Sequence, residues 1–367
     1  MRAFVKILLV VVALIPFACK SELEVYRVGA VVSLSGSADA YGQVVKNGLL
    51  LALSEVNAQG GINGKPMDIL FEDDQSDEKS AVGKVEELSK AAPLIIGGVT
   101  SNIALAIAPV CGQRKVVCLS PSASSPKLSG VSPYFFRNYP SDTLEGHIMA
   151  EYAVRKMKIR SVAILYIDNE YGQGLDSVFK QRFQELQGTI TIEKGYLKGT
   201  TDFSAMIKEL RSEPADAIYL PGYFDEVGAL LKEIKAQKLK VKVISSGGFA
   251  SPQVFDTAGD AAEGVVFPQP PYDPKSTDHA IESFVSAYKR KYYSEPNVYA
   301  AYAYDAFKVV AKVVASCANY PTDLRERMAD VSGFKGLTGD ISFDSNGDVD
   351  VTPRMFVVKG GAFQLID

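Results

Sequence analysis

From residue 26 onward, short β-branched runs alternate with longer stretches whose apolar residues recur every three or four positions. The run at 26–33 reads as a buried parallel strand. Val45, Leu49, Ala52, Leu53 and Val56 then fall on one helical face, and Gly60 and Gly61 stop that helix. Strands are predicted at 67–71, 93–96 and 116–119. Between them come a helix carrying Ala81, Val85 and Leu88 and another over 102–110. The pattern restarts at Ser161, with strands at 161–167, 189–193, 216–220 and 241–245. The interleaved helices are marked by 172–187, by Phe203, Met206, Ile207 and Leu210, and by Phe224, Val227, Leu231 and Ile234. Strict alternation of this kind predicts an α/β fold with parallel sheets covered on both faces, here as two Rossmann-like lobes.

The connectors add topology. Residues 137–142 join the two sets. A proline-rich stretch around Pro268, Pro270 and Pro271 is stiff and extended. Two long helices follow, at 277–293 and 299–318, and then strands at 341–343, 354–358 and 363–366. Helices without strands after the second set predict that the chain returns to complete the first lobe. Several crossings between two lobes make a hinge.

Length and composition agree with this. The 367 residues exceed what one core usually organises, and 47% are apolar, enough for a core in each lobe. The formal net charge is only -4 and the charges are scattered, which argues against nucleic acid as a partner. At the N-terminus, Arg2 and Lys6 precede an apolar run at 7–17 and then Ala18 and Cys19. That run is too short for a bilayer span of roughly 20 apolar residues but suits a signal peptide over 1–18. Ala18-Cys19 resembles a bacterial lipobox, although Pro16 stands where Leu is usual, so lipid attachment at Cys19 and plain cleavage nearby both stay open. A lipid anchor would tether the exported protein to a membrane. Cys111, Cys118 and Cys317 show no zinc-ligand spacing. Cys111 and Cys118 are either bridged or free thiols in a core.

Enzyme chemistry is hard to assemble from these residues. The two histidines, His147 and His279, pair with no nucleophile, and no Gly-x-Ser-x-Gly elbow occurs. Ser-x-x-Lys recurs along the chain, at Ser76, Ser124, Ser177 and Ser286 among others, as chance would have it. Gly172 and Gly174, with Glu193 about twenty residues on, make half of a dinucleotide fingerprint, but Ser177 holds the third glycine position. Asp344, Asp348 and Asp350 imitate a calcium loop, yet the glycine is at the wrong place and Met355 stands where Glu belongs. Asn346-Gly347 reads instead as a hairpin turn. Asp73, Asp74 and Asp77 read as a solvated strand end. No metal or cofactor is expected.

The strand C-termini carry the candidate site, since ligands of doubly wound sheets bind there. Four are rich in hydroxyls, glycines and tyrosines: Ser33 to Gly36 followed by Tyr41, Gly97 to Ser101, Leu119 to Ser124, and Ile167 to Tyr171. Ser101 either caps its own helix or presents its hydroxyl beside free N–H groups, where an anion would be favoured.

Taken in order, several segments resemble the type I periplasmic binding proteins of the Leu/Ile/Val-binding family. They are Val28-Gly-Ala-Val-Val-Ser-Leu-Ser-Gly36, Asn57-Ala-Gln-Gly-Gly-Ile-Asn-Gly64, Phe71-Glu-Asp-Asp74, Ile96-Gly-Gly-Val-Thr-Ser101, Ser120-Pro-Ser-Ala-Ser-Ser-Pro126, Glu170-Tyr-Gly-Gln-Gly174 and Thr201-Asp-Phe-Ser204. The resemblance implies a first lobe of 25–140 with 271–345 and a second of 141–270 with 346–367. It implies that Ser101, Ser124 and the backbone around Ser122 and Ala123 hold a ligand carboxylate, that Tyr171 and Tyr223 close over it, and that Tyr41 lines the side-chain pocket. Each tyrosine has an alternative as a half-buried core ring. The expected function is the extracytoplasmic binding component of an ABC importer for an amino acid, with permease subunits as partners and no catalysis. One departure bears on the ligand. Such amino-acid binders carry a carboxylate after the strand that is 241–245 here, and this chain has Ser245-Ser-Gly-Gly-Phe249, leaving Gly247 in the loop. Asp142, Asp168, Glu170 or Asp225 supplies the missing acid, or waters and tyrosines do, or the ligand is an amine-free 2-oxo or aromatic acid. A ligand-sensing subunit of a regulatory system is the alternative from another class.

Overall fold

The computed structural model describes residues 24–366; the leader and Cys19 lie outside them. The chain opens with β1 (Tyr26–Val32), α1 (Asp39–Ala58), β2 (Met67–Asp73), α2 (Glu78–Leu88), β3 (Leu94–Gly97), α3 (Ser101–Arg114), β4 (Val117–Ser120) and β5 (Phe135–Arg137). These strands form one parallel five-stranded sheet in the order β2-β1-β3-β4-β5. The second set is α4 (Asp142–Arg155), β6 (Ser161–Ile167), α5 (Glu170–Glu185), β7 (Thr189–Tyr196), α6 (Ser204–Ser212), β8 (Ala217–Leu220), α7 (Phe224–Ala236), β9 (Lys242–Ser245), α8 (Val254–Ala258) and β10 (Val266–Gln269). Its parallel strands run β7-β6-β8-β9-β10, the same winding as the first sheet.

After β10 the chain forms α9 (His279–Tyr292), α10 (Val298–Ser316), α11 (Leu324–Ala329) and a small hairpin of β11 (Phe334–Gly336) and β12 (Gly339–Ile341). Helix α10 packs along α1, so this stretch does return to the first sheet. The chain then crosses again, and β13 (Arg354–Val358) and β14 (Phe363–Leu365) extend the second sheet antiparallel beside β10.

Each sheet reverses its strand order once, between β1 and β3 in the first and between β6 and β8 in the second. Helices leave the two flanking strands in opposite directions there, which opens a crevice at the strand C-termini. A glycine lets a helix start deep in each crevice. A Cβ on Gly42 would lie 1.8 Å from the Ser33 carbonyl oxygen, and one on Gly172 would lie 2.0 Å from that of Ile167. Both glycines follow a tyrosine, so α1 and α5 press against β1 and β6 and present Tyr41 and Tyr171 at the crevice. Close helix–strand packing accounts for Gly172, and Glu193 is engaged by Lys180 at 2.6 Å, so the partial dinucleotide pattern has a structural explanation.

The first and third crossings are clasped together. Arg137 is fully buried at the end of β5. Its Nε donates to Asp348 Oδ1 at 2.6 Å and its Nη2 to Asp348 Oδ2 at 3.2 Å, while Nη1 reaches the Ser125 carbonyl at 2.9 Å. Asp348 sits in the Asn346-Gly347 turn, between Phe343 and Val349, which bridge as a hairpin would. The calcium-like aspartates thus build a turn and an ion pair, and no cluster with metal-ligand character occurs among the described residues. Asp74 departs from the expected solvated strand end: it is buried, and its Oδ1 accepts from the Ser76 N–H. Cys111 and Cys118 are neighbouring buried free thiols.

A guanidinium without water needs its counter-ion, because breaking a buried pair strands a charge. Asp348→Ala should therefore lose about 3 kcal/mol of unfolding free energy in urea titration. A loss below about 1 kcal/mol, the usual worth of a surface pair, would show that the clasp is not structural.

Candidate functional site

The two crevices face each other and enclose a cavity with about 30 Å³ open to the centres of water-sized molecules. That is room for about two waters. An organic ligand can enter only if the lobes part.

From the first lobe, Val99, Thr100, Ser101, Ser122 and Ser124 form one wall. Ser101 opens α3, but its hydroxyl does not cap that helix. Its Oγ instead accepts from the N–H groups of Ser125 at 3.1 Å and Ser124 at 3.4 Å, so it ties the loop after β4 to the helix start. Thr100, at the N-cap, makes no side-chain cap bond either. The first turn of α3 therefore points uncapped N–H groups and the positive end of its dipole at the cavity. Ser122 donates its hydroxyl to the Val99 carbonyl at 2.7 Å, and Ser120 does the same to Gly98 at 2.9 Å. These bonds fix the two loops against each other. Ala123 stands one layer back: it is buried, and its N–H donates to Ser120 Oγ at 3.1 Å.

The opposite wall is aromatic. Tyr171 and Tyr223 stack with centroids 5.1 Å apart, and Tyr41 meets Tyr223 at 5.5 Å. Tyr299 contacts Tyr41 edge-on at 5.2 Å and stacks on Tyr139 at 5.9 Å. Burial raises the pKa of all five phenols far above the ordinary tyrosine value, so each is a neutral hydrogen-bonding group. Several already bond across the cleft or around its floor. Tyr41 donates to the Gly248 carbonyl at 2.9 Å, Tyr299 to the Gly247 carbonyl at 3.3 Å, and Tyr171 to Ser246 Oγ at 3.0 Å. On the rim, Lys127 of the first lobe pairs with Glu170 of the second at 2.7 Å. The lobes are therefore closed.

Among the described residues lining the cavity, one is charged: Glu145, in the first turns of α4 and 4% exposed. Its Oε1 accepts from the Gly247 N–H at 2.8 Å. Burial, then the neighbouring Asp142 carboxyl, raise its pKa well above the usual carboxylate range, against the Gly247 N–H. Asp142, one turn earlier and 1% exposed, is pushed to about 7 by burial, only partly offset by Ser124 and Arg137. Neither of its oxygens has a hydrogen-bond partner of good geometry.

Seven of the residues singled out from sequence thus gather here: Tyr41, Ser101, Ser122, Ser124, Tyr171 and Tyr223 line the cavity, and Gly247 holds Glu145 from behind. Of the acids weighed for the missing position, Asp168 and Asp225 are exposed, Glu170 is held by Lys127, and Asp142 is buried behind Glu145's helix turn. Glu145, Tyr139, Tyr299 and Gly248 were not anticipated. Ser141, which caps α4 through the Thr143 N–H, was the available signal for that helix.

Residues 25–362 match the periplasmic binding proteins. The chain belongs to that family. It is 30% identical over 324 residues to Leu/Ile/Val-binding protein homolog 1 of Brucella abortus, covering 88% of this chain and 86% of that one. It is 25% identical to the leucine-, isoleucine-, valine-, threonine- and alanine-binding protein of Pseudomonas aeruginosa, covering 86% and 85%. Among solved structures, the branched-chain amino acid transporter substrate-binding protein LivJ of Streptococcus pneumoniae, in complex with isoleucine, superposes with a TM-score of 0.87. It is 26% identical, with 93% of this chain and 98% of that one covered. This chain is thus a type I periplasmic binding protein of the branched-chain amino acid group, with the two-lobed fold its alternating pattern predicts.

Asp142 holds a proton more tightly folded than unfolded, so its contribution to stability is present below about pH 4 and is lost as pH rises towards about 7. Asp142→Asn removes that loss. Measured by urea unfolding, the variant should gain on the wild-type periplasmic binding protein across this interval, by up to about 1.4 kcal/mol per pH unit. A difference independent of pH would show that Asp142 is ionised throughout.

Proposed function

We propose that this protein is the exported solute-binding component of an ABC importer, closing on an amino acid with an apolar side chain of the branched-chain kind. The hinged units would be 25–140 with 271–345 and 141–270 with 346–367. The observation that carries this reading is the cavity between the two facing crevices, with hydroxyls and uncapped amides on one wall, tyrosines on the other and one carboxylate between them. Ser101, Ser124 and the backbone at Ser122 would hold the ligand carboxylate through dipoles rather than a full charge, with Ala123 bracing the loop from one layer back. Tyr41, Tyr171 and Tyr223 would cover its apolar body and exclude water, which strengthens each polar contact. Residues 1–18 would direct export and lipid at Cys19 would tether the protein to a membrane, where permease subunits read the closed shape. The named ligands of the relatives support the same class.

A second reading has one observation in its favour. A carboxyl as buried as Glu145 prefers to be neutral, and a neutral carboxyl can donate to the keto oxygen of a 2-oxo acid.

Thermal unfolding with leucine, isoleucine, valine and their 2-oxo analogues tests the reading. A true ligand at a hundred times its Kd adds about 2.7 kcal/mol of stability. Ser101→Ala should raise the Kd of that ligand about tenfold, since its hydroxyl holds the carboxylate loop. No shift with any of these acids would contradict the proposed function, and unchanged affinity in Ser101→Ala would remove Ser101 from the site.

A further inference from the structure

We propose that Glu145 is the counter-charge for the ligand's ammonium group, so that α4 supplies the acid absent from the loop after β9. This rests on the proposed function and narrows it to α-amino acids. Three geometric facts carry it. First, Glu145 carries the one carboxyl among the described residues lining the cavity. Second, no cation neutralises it: none of the ion pairs among the described residues includes Glu145, and its hydrogen bond comes from a neutral backbone amide. Third, it occupies the place that the β9 loop leaves free. A Cβ on Gly247 would lie 3.0 Å from Glu145 Oε2, tighter than most contacts of that kind, so the Glu145 carboxylate lies directly against the loop after β9, where the absent acid would stand.

Charge balance selects the ligand. The opposite wall offers dipoles suited to a carboxylate and no positive side chain. A zwitterion places its negative end there and its positive end at Glu145, so the carboxylate left by proton release is paired directly with a cation. An amine-free acid brings an unbalanced negative charge beside two buried carboxyls.

The groups facing Glu145 are the Asp142 carboxyl on its own helix, the phenols of Tyr139, Tyr171, Tyr219 and Tyr299, and the Gly247 N–H, with Arg137 acting on Asp142. The phenols stay neutral below pH 8. An ammonium favours the ionised carboxylate, so binding an amino acid should expel a proton and tighten as pH rises; a ligand that accepts from neutral Glu145 should weaken instead.

Calorimetric titration of leucine and 4-methyl-2-oxopentanoate into wild type and Glu145→Gln provides the test. Leucine should bind wild type more tightly than the oxo acid does. In Glu145→Gln its Kd should rise at least about a hundredfold, while the oxo acid binds no worse than to wild type. Leucine affinity within threefold of wild type in the variant, or a wild-type preference for the oxo acid, overturns the assignment and leaves the binding function standing. If wild type takes neither compound, the proposed function fails and this inference with it. Should the variant not fold, wild type alone decides: leucine affinity must rise at least about tenfold from pH 5 to pH 8 with proton release, and a fall overturns it.

Discussion

Glu145 and Asp142 lie three residues apart on one helix, both shut away from water, with no cation against Glu145 and only Arg137 near Asp142. Burying charge without compensation is among the most expensive things a fold can do. In the closed protein burial favours the neutral forms of the two carboxyls and raises both pKa values. Other features of the cleft line up with this. Hydroxyls and amides make the far wall suitable for an anion, and tyrosines exclude solvent without adding charge. A positive group arriving at Glu145 would relieve the strain of the closed state, so ligand affinity and lobe closure become one free energy.

That coupling needs a scaffold that bends at the hinge and nowhere else. Each sheet has its own helices, and each carries a tyrosine into the cleft on a helix whose glycine packs directly against a strand end. The Arg137–Asp348 clasp ties the first crossing to the third, where extended connectors would otherwise be free to slide. Lys127 and Glu170 meet on the rim, but both are partly solvated and their pairing contributes little. The tyrosine bonds to Gly247 and Gly248 are among the interlobe contacts that depend on closure, together with the Phe224 N–H that donates to Tyr41.

Much of this was legible in the sequence because parallel sheets write themselves as repeated β-branched runs. The two windings, the return of α10 to the first sheet and the tyrosines and serines at strand ends all follow from that rhythm. What escaped has physical causes. Strand β5 is three residues long, too short to show a period, so 137–142 looked like a bare connector. Helix α4 buries Gly146, Ala150 and Ala153, small residues whose stripe is faint beside Leu- and Val-rich neighbours. Glu145 was overlooked because a charged residue on a first helical turn ordinarily signals solvent and a favourable dipole. Tyr139 and Tyr299 join the site only through the crossings, which no local pattern reveals. Asp348 was set aside as a calcium ligand from the sequence, but its guanidinium partner lies more than two hundred positions away and no local pattern announces it.

The central claim is that the lobes must part to admit a ligand and that the ligand draws them together. Spin labels on exposed Ser37 of the first lobe and exposed Thr201 of the second report the gap directly. Double electron–electron resonance without leucine should give a broad distribution with a long-distance population, and saturating leucine should collapse it to a single short distance. An identical distribution in both conditions would contradict the account.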